Sequence, residues 1–415
     1  MRRSGGVVVA IVLGALVAAV VPASAASADQ VRDAEYWLAD YGIQRAWQTT
    51  RGAGTTVAVI DTGVDSSVRE LQGAVVGGTD VSGLGSPDGQ TPVGEDPNHG
   101  TLVGSMVAGR GTGSGDGVIG VAPEADLLSV SVGFGSTAVD SDDQIARAVR
   151  WAVDAGADVI NMSLTRNTLD WPTSWDDAFL YAMQHDVVVV AAAGNRGSGT
   201  TEVGAPATMP GVLTVAGVDR QGTASFDASS QGITIGVAAP SEDLVGVGPG
   251  DVHYSWSGTS GATPLVAGIV ALVRSAHPEL DADDVINRVV ATATPKGTMT
   301  PDPLYGYGLV DAAAAVTASV PTVAENPMGD LAEWIRVHRR ADVPTPSAQA
   351  TNPAVEAPVP TPVTDPGQPL AVLLPTVETM RSTGIPLIVL TVFGGAAVLV
   401  AAGAVRQFRR ARRSG

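Results

Sequence analysis

Cysteine is absent from this chain of 415 residues. Disulfides are therefore excluded, and stability must come from a packed core or from bound ions. Aromatic residues make up only 4 % of the chain, while alanine, glycine and valine dominate. That composition suits a large α/β domain with closely packed elements and argues against disorder over the first three quarters. Positive charge is also scarce: 24 Lys and Arg face 42 Asp and Glu, for a net charge of −18. Seven of the arginines lie in the two ends, so the portion between is more acidic still. Such a surface repels nucleic acid, and no nucleic-acid partner is expected. The acidity can favour basic substrates, but solubility is its simpler role. No internal repeat is found. No Asp- or Asn-rich loop has calcium-ligand spacing, and Asp140 to Asp143 read as a solvated helix start. No metal or cofactor is expected.

Both ends are addressed to a membrane. Arg2 and Arg3 precede an apolar run at 7–21, and Ala26-Ser27-Ala28 follows it. This is the order of a signal peptide, expected to end at residue 28; the run is short for an uncleaved anchor. Residues 385–405 carry no charge, and at about 1.5 Å per residue they span roughly 30 Å, the thickness of a bilayer core. Five arginines from Arg406 to Arg413 follow, which places the tail at 406–415 in the cytoplasm. A sortase-processed end would need Leu-Pro-x-Thr-Gly, and the nearest stretch, Leu374-Pro375-Thr376-Val377-Glu378, lacks the final Thr and Gly. The expectation is a single-pass protein of the cell membrane, with its body outside and its C-terminus inside.

Between the ends, residues 29–50 form a short leader whose Tyr36, Trp37, Leu38, Tyr41 and Ile43 are expected to pack on the main domain at 51–320. Runs at 55–60, 127–132, 159–162, 187–193 and 212–218 are short and apolar, most of them rich in valine, and read as buried strands. Helical patterns at 144–155 and 175–184 lie between some of them. The fold class is therefore α/β, a mainly parallel sheet with helices on both faces. Sites in such sheets lie at the carboxyl ends of strands. A short helix at 331–340 precedes a proline-rich spacer reaching residue 384.

Three motifs occur in order. Asp61 stands in Val-Ile-Asp-Thr-Gly-Val-Asp, His99 in Asn-His-Gly-Thr and Ser260 in Gly-Thr-Ser-Gly-Ala-Thr-Pro. A serine hydroxyl needs a base to take its proton, histidine has a suitable pKa, and a buried carboxylate fixes the imidazole and stabilises its cation. The order Asp, His, Ser is one of the known triad orders. Each motif alone is weak. Asp-Thr-Gly also marks aspartic proteases, but those need two copies and this chain has one. Ser260 alone could be a plain helix cap. Together they identify a candidate catalytic triad.

On these motifs the chain resembles the subtilases across residues 35–318. Its architecture is most similar to the mycosins, membrane-anchored subtilases associated with type VII secretion in actinobacteria. The resemblance implies a subtilisin-like fold and serine endopeptidase activity on polypeptides. It also implies docking to a type VII secretion membrane complex, with a structural role in that complex, or a generic anchored subtilase, as alternatives. Asn195, in Ala-Ala-Gly-Asn, matches the family's oxyanion-hole donor beside the backbone N–H of Ser260, and Ser163-Leu164-Thr165 matches its substrate-binding strand. The chain also departs from the family. Thr165 replaces the usual glycine and would narrow the primary pocket, whereas Gly261 replaces a bulky residue and is expected to loosen packing beneath the nucleophile. Many mycosins carry cysteines, and many subtilases bind calcium. The stretch from Asp29 to Asp61 is too short for the usual inhibitory prodomain, so maturation by prodomain release is not expected.

Overall fold

The computed structural model describes residues 30–133 and 139–339. The signal peptide, spacer, membrane span and basic tail read from the sequence lie outside the described residues. Among the described residues, nine strands form two sheets. They are β1 (Thr56–Asp61), β2 (Val75–Asp80), β3 (Asp126–Ser131), β4 (Val159–Met162), β5 (Val188–Ala192), β6 (Leu213–Val218), β7 (Ile235–Pro240), β8 (Leu244–Gly248) and β9 (Val252–Trp256). The first seven make one sheet in the order β2-β3-β1-β4-β5-β6-β7. Every neighbouring pair in it is parallel. β8 and β9 form a separate antiparallel hairpin.

Burial explains the apolar runs. β4, β5, β6 and β7 are buried at every position, so side chains of both parities are apolar or small, apart from the buried Asn161, whose amide donates to the Ser163 hydroxyl. The helices are α1 (Gln30–Ala34), α2 (Trp37–Asp40), α3 (Ile43–Ala46), α4 (His99–Ala108), α5 (Ser141–Asp154), α6 (Thr173–Gln184), α7 (Thr259–Ala276), α8 (Ala282–Ala291), α9 (Ala312–Thr317) and α10 (Leu331–His338). α4 and α7 pack on each other and on the sheet, as do α5 and α6. Asp140 starts α5 by accepting the N–H of Asp142, so the acidic run at 140–143 is a cap and first turn. α7 is the one described helix long and apolar enough to cross a membrane, and it is buried inside the domain.

The segment at 30–50 lies against this body. Trp37, Leu38 and Ile43 are each 1 % exposed. Arg32 donates from Nε to the carbonyl of Gly117 at 3.1 Å and from one terminal nitrogen to that of Asp116 at 3.0 Å. It also pairs at 2.9 Å with Glu35, whose side chain is fully buried and accepts the N–H of Ile119. A buried carboxylate is costly once its cation is removed. Arg32→Ala is therefore expected to destabilise the domain by about 3 kcal/mol, read as a lower urea midpoint at unchanged slope. At the other end, Trp334 of α10 packs on Trp171 with ring centroids 4.3 Å apart and planes tilted by 38°, and Arg339 pairs with Asp176 at 2.7 Å.

Candidate active site

Asp61 is the last residue of β1, at the carboxyl end of a central strand. Its Oδ1 accepts the Thr62 N–H at 2.8 Å and the Thr62 hydroxyl at 3.3 Å, and lies 2.8 Å from Nδ1 of His99. Oδ2 is buried with no partner among the described residues. His99 opens α4. Its position is set by the neighbours of both motifs. The Gly100 N–H donates to the Thr62 hydroxyl at 3.0 Å, and the Asp65 N–H donates to the Thr101 hydroxyl at 3.0 Å. A Cβ on Gly100 would lie 2.4 Å from the carbonyl oxygen of Gly63, so the two glycines let the strand end and the helix start touch. Asp-Thr-Gly and His-Gly-Thr are thus one interlocked unit.

The Asp61 side chain is 3 % exposed and that of His99 22 %. Burial by itself would lower the pKa of His99. The charge and hydrogen bond of Asp61, helped by the charge of Asp96, outweigh it and hold the imidazole above its ordinary value. Trp256, at the end of β9, meets the imidazole edge-on at 5.8 Å. The hairpin thus braces the histidine before the chain enters α7.

Ser260 lies in the first turn of α7, where backbone N–H groups lack helical partners. Its hydroxyl donates to the Ser163 carbonyl at 3.1 Å, and the Ser163 hydroxyl donates back to the Ser260 carbonyl at 2.8 Å. Ser163, Leu164, Asp61 and His99 line one hollow of about 320 Å³, together with Glu95 and Asp96. The structure therefore brings the three motif residues to one end of the sheet. Asp61 and His99 are in contact, and the serine hydroxyl is turned to Ser163. Hydroxyl-to-imidazole contacts often tighten only when substrate arrives.

Asn195 lies three residues past β5. Its Oδ1 accepts from both the N–H and the hydroxyl of Thr259, at 2.8 and 2.9 Å. With the oxygen held, the amide N–H₂ end remains to donate beside Ser260. Leu164 has no hydrogen-bond partner on its backbone among the described residues, which leaves an open edge next to the hollow. Among the described residues no group of three or more His, Asp or Glu is arranged to hold a metal ion.

Gly261 corrects one expectation. A Cβ there would lie 2.3 Å from Cδ1 of Leu244 and 3.4 Å from Trp256. The space a larger residue would take is filled from the hairpin, so packing beneath the serine is tight. Trp256 and Asp96 carry no local signal in the sequence, whereas Thr259 stands inside the Gly-Thr-Ser motif.

The sequence pattern of the Subtilase family matches residues 52–308. Mycosin-3 of Mycobacterium tuberculosis is 35 % identical over 367 residues, covering 74 % of this chain and 76 % of that protein. Subtilisin E of Bacillus subtilis is 38 % identical over 267 residues, covering 64 % of this chain and 66 % of its own length. Among solved structures, the MycP3 protease from the type VII (ESX-3) secretion system superposes with a TM-score of 0.56 at 33 % identity. That match covers 67 % of this chain and 86 % of the other. The family pattern, the fold and these relatives agree: the chain belongs to the subtilase family, the subtilisin-like serine proteases, and is similar to the mycosins within it.

Proposed function

We propose that this chain is a membrane-anchored, extracytoplasmic serine endopeptidase acting on polypeptides, with Asp61, His99 and Ser260 as its triad and Asn195 in the oxyanion hole. The observation that carries the reading is the 2.8 Å Asp61–His99 pair in a hollow walled by Ser163, the hydrogen-bond partner of Ser260. The Ser260 hydroxyl turns from Ser163 to the free imidazole nitrogen of His99. It then attacks the peptide carbonyl carbon while His99 takes its proton. The carbonyl oxygen becomes an oxyanion between the Ser260 N–H and the Asn195 amide. One such donor is worth about 3 kcal/mol. His99 passes the proton to the leaving amine, whose C–N bond breaks, and the acyl group stays on Ser260 Oγ. Water, deprotonated by His99, then releases the acid and regenerates the hydroxyl. Leu164, and its neighbours Ser163 and Thr165, hold an extended substrate by backbone pairing.

The link to type VII secretion rests on the relatives. The match to Mycosin-3 covers 74 % of this chain, against 64 % for Subtilisin E. The apolar run at 385–405 with its arginine tail supports the anchor.

Phenylmethylsulfonyl fluoride is expected to inactivate casein hydrolysis by the full chain and to leave one sulfonyl adduct, on Ser260. Inactivation with the adduct elsewhere would refute the assignment. A tag placed after Arg413 is expected to stay with the mature protein in the membrane fraction; its loss would overturn the retained span.

A further inference from the structure

Behind the serine, two chain segments flank the place where a scissile residue must lie. One begins at Ser163, which exchanges hydrogen bonds with Ser260, and the other begins at Asn195, anchored on Thr259. A carbonyl attacked by Ser260 and held by Asn195 sits between them. Side chains of an extended peptide alternate, so the residue supplying that carbonyl points into the gap between the segments.

That gap is bridged by hydrogen bonds, beside a hollow of about 170 Å³ that Asn167, Thr168 and Thr200 help to line. The Arg166 N–H donates to the Ala205 carbonyl at 2.7 Å, and the Ala205 N–H donates to the Thr168 carbonyl at 2.9 Å. The Thr200 hydroxyl donates to Oδ1 of Asn167. A Cβ on Gly204 would lie only 1.7 Å from the Arg166 carbonyl oxygen and 2.7 Å from Oγ1 of Thr165. Thr165 and the Arg166 main chain therefore occupy the depth that a large substrate side chain would need. The Thr165 hydroxyl is turned back onto the Arg166 carbonyl at 3.0 Å, which holds this side chain in place.

We infer that this protease cuts after small residues, glycine, alanine or serine, and that Thr165 sets the limit by filling the recess between Ser163–Thr168 and Asn195–Ala205. This rests on the proteolytic reading above. A pocket that must open by even one or two methylenes loses about 10- to 200-fold for the larger residue.

The test uses the purified full chain and quenched peptides that differ only in the residue supplying the cleaved carbonyl. The kcat/KM for alanine is expected to exceed that for leucine and phenylalanine by about thirtyfold. Thr165→Gly is expected to shrink that ratio at least fivefold, roughly the loss of one methylene-scale contact. Thr165→Val, of similar volume, keeps the ratio. Should Thr165→Gly fold poorly, Thr165→Ala is expected to move it in the same direction. Binding of the same peptides to Ser260→Ala, followed by fluorescence anisotropy, should show the same order without cleavage. Leucine or phenylalanine equal to alanine in the wild type would overturn the inference, as would a ratio unchanged in Thr165→Gly and Thr165→Ala. Cleavage that persists in Ser260→Ala would instead remove Ser260 as the nucleophile of that reading, and the anisotropy order would still measure the recess. Failure of every peptide to bind counts against both.

Discussion

Ser260→Ala is expected to lower kcat for peptide hydrolysis by about a million-fold, the scale on which a triad loses its nucleophile. The change should leave the fold intact. The Ser260 hydroxyl makes one hydrogen bond, to the carbonyl of Ser163, and the residue is only half-buried. Losing a hydrogen bond of that kind costs about 1 kcal/mol. The Ser163 hydroxyl still reaches the main-chain carbonyl of residue 260, so the start of α7 keeps its tie to the end of β4. Casein-type cleavage by wild type and variant, with urea unfolding of both, separates the two effects. Undiminished cleavage by a folded Ser260→Ala protein would sink the triad. An inactive but unfolded variant would show that the serine is structural.

The motifs were legible because their chemistry and their packing use the same residues. Thr62, Gly63, Gly100 and Thr101 are conspicuous beside Asp61 and His99, and they are the groups that lock strand end to helix start. The buried strands were legible for a different reason. β1, β3, β4, β5 and β6 lie inside the sheet, so their sequences approach continuous apolar runs. β2 is an edge strand, mostly half-buried and interrupted by Gly77 and Gly78, and it has no such run. β7 carries glycine and ends in proline, which disguises it although every position is buried. The hairpin β8–β9 has one buried and one largely half-exposed strand. No local pattern announces that its Trp256 reaches His99 or that its Leu244 fills the space beside Gly261. Thr165 shows the limit most sharply. Its identity hints at a narrowed pocket, but the main-chain carbonyl of Arg166 lies closer still to where a Gly204 Cβ would be, and a carbonyl leaves no mark in a sequence.

Asp61→Asn is expected to reduce kcat by about ten-thousand-fold at neutral pH while leaving substrate binding nearly unchanged, since an amide can hold the wrong imidazole tautomer. The Thr62 N–H would still donate to an amide oxygen at this position, so the strand end has no cause to move. The pH profile carries a second, independent signature. His99 must be neutral to act as base, so activity rises with pH through its pKa. In the wild type, burial disfavours the imidazolium, but Asp61 and Asp96 more than offset this and place that pKa above the ordinary histidine value. Removing the Asp61 charge leaves burial opposed only by Asp96, so the acid limb should move to lower pH in the variant. The linkage to stability has the matching sign. A histidine whose pKa is raised on folding contributes stability that is fully present below its unfolded pKa and is lost as pH rises through the folded one. Asp61→Asn should therefore destabilise the domain more at acid pH than at alkaline pH, as read from urea midpoints across that range. A loss of kcat with an unmoved acid limb and a pH-independent stability change would mean that Asp61 does not act through the charge of His99.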